Sequence, residues 1–363
     1  MFLFFVSLAS CRTFAMLYAG SFTYPNYRHQ ADIFTIYQML LERGFKTSDI
    51  SLYAFDDHAT DASNPFKGQV FHTIDHKVNV YPGTKAINFS GGYVDAKRFI
   101  KVIKTFPTTS EDNILIYYVN HGGPNLLGTP AGDLISAHNM LYAFQEAQSK
   151  KLFKNLLFVI EACYSGSIGK VINLPNITLL TAANNIESSY PVYFDSEVGT
   201  FLTNEFTNNL LTQIEENPEK TVNEIFTVAQ SQTEKSHPCI FGDETVKSLP
   251  ISEFFGKPTK KVVLRKSGKK EVPSLTPKEA TEKSLSFMAQ HKKASIRSKA
   301  RLELLRLRAL TEKLEAALEL LVKYVDPENY DKIMNDKMAE ANDVYYEVLD
   351  IFLKKIGEVN PDD

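Results

Sequence analysis

Residues 155–167 read NLLFVIEACYSGS, an apolar run that ends at a cysteine and passes into a Gly-Ser turn. The run is short and contains β-branched and aromatic residues, which is typical of a buried strand. Similar runs occupy residues 14–20, 50–55, 114–120 and 177–183, and segments with helical spacing occupy residues 29–43, 95–105 and 134–150. This alternation predicts an α/β fold, in which helices cover both faces of a mostly parallel sheet.

A histidine follows another of these predicted strands, because residues 114–120 lead directly into His121-Gly122-Gly123. Parallel sheets gather their chemistry at the carboxyl ends of the strands, so we expect His121 and Cys163 to meet at one edge. The imidazole can then take the proton of the thiol and return it to a leaving amine. The N–H groups of Gly122 and Cys163 are candidates for an oxyanion hole. Taken singly, each residue type is more often structural, so the prediction depends on their pairing.

The composition changes after the predicted α/β domain, which spans residues 12–256. Residues 257–284 are rich in Lys, Gly, Pro and Ser without a clear period, which predicts a basic linker. In residues 285–363, apolar residues recur at helical spacing on both sides of Asp326-Pro327. This pattern predicts a second, all-α module of two or more helices.

The distribution of charge is more informative than its total. The formal net charge of −3 gives no indication of nucleic-acid binding. Residues 257–313 have a balance of +12 and residues 314–363 one of −8, which leaves −7 for residues 1–256. A basic arm between two acidic blocks is expected to attract them at neutral pH, although a solvated basic helix face would have the same composition.

The apolar opening at residues 1–11 is too short to span a bilayer, and we interpret it as a signal peptide. A first strand that begins at residue 2, or a bacterial lipoprotein box at residues 8–11, would also fit. No other apolar stretch is long enough for a transmembrane helix, and none is expected. Three cysteines and eight scattered histidines form no disulfide framework and no closed ligand set, so no metal or cofactor is expected either.

Four blocks of the sequence resemble signatures of the legumains, the asparaginyl endopeptidases, and they occur in the same order. Residues 160–167 resemble the nucleophile segment, 118–124 the histidine segment, 26–32 the segment after the first strand, and 182–190 a fourth signature. Ser236-His237 before Phe241-Gly242 resembles the end of their catalytic domain. The family belongs to a clan with the caspases and the GPI-anchor transamidase, so the resemblance implies a caspase-like fold.

The resemblance also implies roles for individual residues. Cys163 would be the nucleophile and His121 its base, with Asn26 helping to orient the histidine. The family cleaves after Asn, and more slowly after Asp at acid pH. The guanidinium of Arg28 would bind the side-chain carbonyl of a substrate Asn, while Glu161 would accept from its NH2 group. Further residues expected to line this pocket are His29, Ser189 and Asn204.

For the remainder of the chain, the resemblance implies a zymogen whose residues 285–363 are an inhibitory pro-region. Its substrates would be proteins and peptides, and it would act in the secretory pathway, in a lysosome-like compartment or outside the cell. Residues 244–325 contain neither Asn nor Asp, so an Asn-directed enzyme finds no preferred bond in its own linker. A different activating protease is therefore expected to cut there. A permanent docking module is the alternative role for the helices.

Two positions depart from the family pattern. Asn120 stands directly before the histidine, where the family usually has an Asp associated with peptide ligation, so ligation is in doubt. Asn204, or Glu205 if the register slips by one residue, aligns with a second acidic member of the specificity pocket. If Asn204 is correct, the pocket loses one formal charge, and its relative acceptance of Asn and Asp can differ from the family norm.

Two other functions fit parts of this pattern. A GPI-anchor transamidase shares the His-Gly-Gly block, but the Glu-Ala-Cys segment followed by Ser-Gly-Ser favours the protease. A catalytically silent binding protein on the same fold would have no reason to retain Asn26, His121 and Cys163 together.

Overall fold

The computed structural model describes residues 12–259, 275–325 and Glu328. The predicted signal peptide, residues 260–274 of the predicted linker and the helix predicted beyond Asp326-Pro327 lie outside these residues. The chain forms two compact units, one up to Ser284 and one from Leu285 onward. Among the described residues, no helix combines the length and the apolar character needed to cross a bilayer.

The described residues form ten α-helices, four short 3-10 helices and eleven strands. The strands are β1 Thr13–Ala19, β2 Ile50–Tyr53, β3 Asn113–Val119, β4 Gly122–Gly123, β5 Leu126–Gly128, β6 Leu134–Ser136, β7 Asn155–Glu161, β8 Ile177–Thr181, β9 Pro191–Asp195, β10 Thr200–Asn204 and β11 Cys239–Gly242. The helices are α1 Tyr27–Glu42, α2 Ala96–Ile103, α3 Ala137–Ser149, α4 Gly166–Val171, α5 Glu205–Glu216, α6 Val222–Gln232, α7 Glu244–Lys247, α8 Ser252–Phe255, α9 Pro277–Met288 and α10 Ala294–Val325.

The central sheet has six strands in the order β11-β8-β7-β3-β1-β2. The five strands from β8 to β2 are parallel, and β11 adds an antiparallel edge to β8. Strands β3 and β7 lie at the centre and are buried along their whole length, as expected for strands covered on both faces. The predicted α/β fold with a mostly parallel sheet is confirmed.

The two faces of the sheet pack against different helices. On one face, Phe158 of β7 lies in a cluster with Phe99 of α2 and Phe144 of α3. On the other face, the hydroxyl of Tyr117 in β3 donates to Thr207 Oγ1 of α5 at 3.0 Å. Because side chains alternate between faces along a strand, the same strands hold both helical layers and support a three-layer arrangement.

Three features were not predicted from the sequence. The hairpin β9–β10 and the three-stranded sheet β4–β6 stand apart from the central sheet. Helix α9 begins at Pro277, inside the segment predicted as linker, so that part of the linker prediction is wrong. A capping box starts the helix: Thr276 N–H donates to Glu279 Oε2 at 2.7 Å, and Glu279 N–H donates to Thr276 Oγ1 at 3.4 Å.

The central aromatic cluster provides a test of this packing. Phe158 is fully buried, so Phe158→Ala should lower the free energy of unfolding by about 3–5 kcal/mol, since it removes buried apolar area and leaves a cavity. Tyr142 on α3 is 61% exposed and serves as the control, because Tyr142→Ala should change stability by less than about 0.5 kcal/mol. Urea unfolding measures both, and equal losses in the two variants would contradict the packing.

Candidate active site

The two central strands set the positions of the candidate nucleophile and base. Val119 of β3 pairs with Glu161 of β7, and Asn120 N–H donates to the Glu161 carbonyl at 3.1 Å. Both His121 and Cys163 lie two residues beyond this last pair of strand residues, at the same edge of the sheet. A Cβ atom on Gly122 would overlap the carbonyl oxygen of Cys163, so only glycine allows this close approach.

His121 is held by the side chain of Asn26, which directly precedes α1. The distance from His121 Nε2 to Asn26 Oδ1 is 2.9 Å. Asn26 Nδ2 donates to the Phe22 carbonyl at 2.9 Å, which leaves Oδ1 as the acceptor facing the ring. This network assigns the proton to Nε2 and leaves Nδ1 as the basic nitrogen.

Burial keeps the candidate pair uncharged in the substrate-free protein. Desolvation, together with the positive charge of Arg28, lowers the pKa of His121 to about 3. Desolvation raises the pKa of the Cys163 thiol above its ordinary value. The pair therefore rests as a neutral imidazole and a neutral thiol in the substrate-free protein.

The loop before β9 supports the turn after the nucleophile. Tyr164 has a φ of 55°, and its N–H donates to the Glu187 carbonyl at 2.8 Å. The Ser189 carbonyl lies 3.9 Å from the Cys163 sulfur. The Glu187 carboxylate accepts from His237 N–H at 2.6 Å and lies 2.8 Å from His237 Nδ1. The sequence blocks that contain Glu187 and His237 thus meet beneath the nucleophile.

A fully buried guanidinium lies near the nucleophile. Arg28, in the first turn of α1, is 1% exposed. Its Nε donates to Asn204 Oδ1 at 2.9 Å, and one terminal nitrogen donates to the Pro25 carbonyl at 3.4 Å. Burial lowers the pKa of Arg28 to about 10, so it remains a cation at neutral pH. The structure thereby brings Arg28 and Asn204, two of the predicted site residues, together.

Only one of the two carboxyl oxygens of Glu161 accepts hydrogen bonds from the described residues. Its Oε2 accepts from the N–H and from the hydroxyl of Thr207, both at 2.9 Å. Its Oε1 is buried and makes no hydrogen bond to the described residues, although the nearby side chain of Ser189 acts to lower the pKa of the group. Desolvation, with the nearby charge of Asp32, raises the pKa of Glu161 to about 8. A buried oxygen without a partner is costly, and a substrate amide could satisfy it.

His29 forms a third part of this region. Its ring packs edge-on against that of His121 with centroids 5.0 Å apart, and its Nδ1 lies 2.7 Å from Ser21 Oγ. Burial, with the charge of Arg28, lowers the pKa of His29 well below its usual value. The contacts place His29 behind the candidate base, where it orients the base by packing.

Sequence reasoning did not identify two residues that organise the site. Thr207 binds Glu161, and the carboxylate of Asp32 binds Asn204 Nδ2 at 2.7 Å. The only signal was that Asp32 closes the block 26–32 and falls on a helix face with apolar neighbours. Among the described residues, no group of three His, Cys, Asp or Glu side chains is arranged to hold a metal ion.

The buried carboxyl group of Glu161 predicts that the stability of the protein depends on pH. A carboxyl group whose pKa is raised on folding stabilises the folded state fully only below the pKa that it has in the unfolded chain. For Glu161, this stabilisation is lost as the pH rises towards about 8. Glu161→Gln keeps an acceptor for Thr207 and cannot ionise, so the variant should gain stability over the natural chain between pH 5 and 8, on the order of a few kcal/mol. Thermal unfolding measures the gain.

The exposed Glu111→Gln is the control and should show no gain with pH. A Glu161→Gln variant that is destabilised equally at pH 5 and pH 8 would contradict the burial of an unsatisfied carboxyl group.

Comparison with known proteins supplies the family. A family model described as the Peptidase C13 family matches residues 13–257. A hemoglobinase of Schistosoma mansoni is 32% identical over 255 residues, which cover 67% of this chain and 59% of that protein. A legumain of Mus musculus is 29% identical, covering 66% of this chain and 58% of the relative. A GPI-anchor transamidase of Saccharomyces cerevisiae is 27% identical, covering 69% and 65%.

These matches span about three fifths of the length of the relatives. The family model covers the central sheet and every candidate site residue, which confirms the family indicated by the sequence blocks. The chain belongs to the Peptidase C13 family.

Proposed function

We propose that the protein is a cysteine endopeptidase that hydrolyses peptide bonds after Asn, and secondarily after Asp at acid pH. One observation carries the proposal. A buried hydrogen-bond donor, the Arg28 guanidinium, and a buried acceptor without a partner, Glu161 Oε1, lie close to the Cys163 thiol. The guanidinium of Arg28 and the unpaired Oε1 of Glu161 complement a side-chain amide, which offers a carbonyl oxygen and an NH2 group. Selectivity is expected to be strong, because a side chain without these groups leaves buried polar atoms unpaired.

The proposed reaction uses Cys163 and His121 in two steps. Nδ1 of His121 takes the thiol proton as the sulfur attacks the carbonyl carbon before the scissile bond. The N–H groups of Gly122 and Cys163 stabilise the oxyanion, and the imidazolium then protonates the departing amine to leave a thioester. Water, deprotonated by the same imidazole, attacks the thioester and releases the acid product and the thiol.

The side chain of Asn120 has a structural function in this structure. Its Nδ2 donates to the Gly20 carbonyl and so ties the end of β3 to the end of β1. A carboxylate in this position could not donate, so Asn120 stabilises the edge in a way that an ionised Asp cannot. The proposed reaction is hydrolysis. The transamidase alternative, suggested by the yeast relative, would require the thioester to react with an added amine.

A substrate library tests the proposed activity. Cleavage should follow Asn, with Asp second, and Cys163→Ser and His121→Ala should each reduce kcat/KM by at least about 10³-fold, since both residues act in the same step. Circular dichroism should show that both variants remain folded. A profile dominated by Lys, Arg or aromatic residues before the bond would contradict the proposal, and product found mainly on an added amine would favour transamidation.

We also propose that residues 285–363 are an inhibitory pro-region. Helix α9, which leads into these residues, contacts the start of β10 through Ser284. Ser284 Oγ lies 3.0 Å from Thr200 Oγ1, and Thr200 Oγ1 lies 3.3 Å from the Pro25 carbonyl that also binds Arg28. The ammonium of Lys283 lies 4.5 Å from the centre of the Phe194 ring. Movement of α9 would therefore be transmitted to the hairpin that carries Asn204.

We propose that acid pH releases the inhibitory pro-region from the catalytic domain and that another protease then removes it. The basic arm is attracted by the acidic catalytic half, and protonation of carboxylates towards pH 4 weakens that attraction. The lack of Asn and Asp in residues 244–325 leaves Lys260-Lys261 and Lys269-Lys270 as candidate sites for a different protease. The proposed location is the secretory pathway, in a lysosome-like compartment or outside the cell. A vacuolar-processing enzyme of Arabidopsis thaliana, 31% identical to this chain, supports it.

Processing is tested with full-length Cys163→Ser, which cannot cut itself. Incubated at pH 4.5 with the active enzyme, it should remain uncut between residues 244 and 325, whereas a Lys-directed protease should cut it in the linker. Electrophoresis and mass spectrometry locate the cuts. Efficient linker cleavage by the active enzyme alone would refute the need for a second protease, and full activity of the uncut natural chain at neutral pH would refute inhibition.

A further inference from the structure

The carboxamide of Asn204 connects two buried charges of opposite sign. Its Oδ1 accepts from Arg28 Nε at 2.9 Å, and its Nδ2 donates to Asp32 Oδ2 at 2.7 Å. The guanidinium has no acceptor and the carboxylate no donor, so the neighbours fix the orientation of the amide. Asn204 is 3% exposed, and its neighbour Thr203 donates to Asp32 Oδ1 at 2.6 Å.

A carboxylate in place of this amide would face Asp32 across a hydrogen-bond distance. Two buried carboxyl groups so close share one proton at acid pH, and the pair releases it as the pH rises. The amide of Asn204 supplies the same bridging hydrogen at every pH. The link between Arg28 and Asp32 is therefore independent of pH as long as residue 204 is Asn.

The charge of the pocket follows from the groups that face it. These are Arg28, His29 and Asp32 from α1, His72 from the segment between β2 and α2, Tyr117 from β3, Glu161 from β7, and the proposed catalytic pair His121 and Cys163. Both His29 and His121 have lowered pKa values and are neutral, and Glu161, with a pKa near 8, is protonated in acid. The remaining charged groups, Arg28 and Asp32, have opposite signs, and the His72 ring lies 2.9 Å from Asp32 Oδ1.

We propose that Asn204 is a specificity-determining residue that keeps the pocket free of net negative charge, so that an ionised aspartate is accepted as well as asparagine. The inference rests on the proposed cleavage after Asn and Asp, and it extends cleavage after Asp from strongly acid conditions towards neutral pH. An ionised aspartate meets the guanidinium of Arg28 and the Oε1 of Glu161, which donates while it holds the proton and accepts from a substrate amide once it has released the proton. Only when Glu161 ionises does the pocket repel the substrate carboxylate.

The test compares Asn204→Asp with the natural chain after activation of the full-length protein by linker cleavage. The readout is the ratio of kcat/KM for two peptides that differ only in Asp or Asn before the bond, measured from pH 4.5 to 7. In the natural chain this ratio should fall less than about threefold. In Asn204→Asp it should fall at least about tenfold, because the carboxyl pair releases its proton and gives the pocket a negative charge. Asn223→Asp, an exposed change of the same kind on α6, should behave like the natural chain.

Thermal unfolding gives a second readout that needs no activity. A carboxyl pair with a raised pKa in the folded state loses stability as the pH rises, so Asn204→Asp should melt close to the natural chain at pH 4.5 and progressively below it towards pH 7. Equal pH dependence of the cleavage ratio in the variant and the natural chain would overturn the inference alone. Cleavage after neither residue by the natural chain would refute the proposed function, and the inference with it.

Discussion

The hydrogen bond from Asn120 N–H to the Glu161 carbonyl closes the register of the two central strands, and the candidate active site depends on that register. Successive pairs along β3 and β7 hold every residue between Asn113 and Val119 opposite its partner. A slip of one residue would move the histidine about 3.3 Å along the sheet and turn the side chains of β7 to the opposite face. Glu161 would then leave its position next to Thr207. The hydrophobic layers on both faces fix this register, so packing far from the site determines its geometry.

A second constraint is that the pocket is built from buried charge. Removing Arg28, Asp32 and Glu161 from water is costly, and the structure offsets the cost with hydrogen bonds from rigid elements. Arg28 lies on the first turn of α1, Asn204 ends β10, and Thr207 lies on the first turn of α5. These positions are held by backbone hydrogen bonds, so the donor and the free acceptor are oriented before a substrate arrives. In a low dielectric such preorganised groups discriminate strongly between side chains.

Features that depend on local sequence could be predicted, whereas contacts between residues distant in sequence could not. The runs around Cys163 and the residues before His121 predicted β7 and β3 to within one residue at either end, because both faces of a central parallel strand are apolar. The hairpin β9–β10 was missed, since polar residues such as Thr203 and Asn204, which contact Asp32, interrupt its apolar runs. The pairing of Arg28 with Asn204 joins residues distant in sequence, and only the alignment with a family suggested it. The bond between Asn204 and Asp32 could not be predicted, because it depends on how α1 lies against the hairpin.

The central claim is that the Cys163 thiol lies next to a pocket in which Arg28 and Glu161 bind a side-chain amide. The most direct test is covalent labelling of the full-length protein, activated by linker cleavage, with a peptide that carries Asn next to an electrophilic carbon. A matched peptide with Lys in that position is the comparison. Mass spectrometry should find the Asn peptide attached to Cys163 and not to Cys239, with labelling at least about a hundredfold slower for the Lys peptide. Equal labelling by both peptides, or attachment to Cys239, would contradict the account.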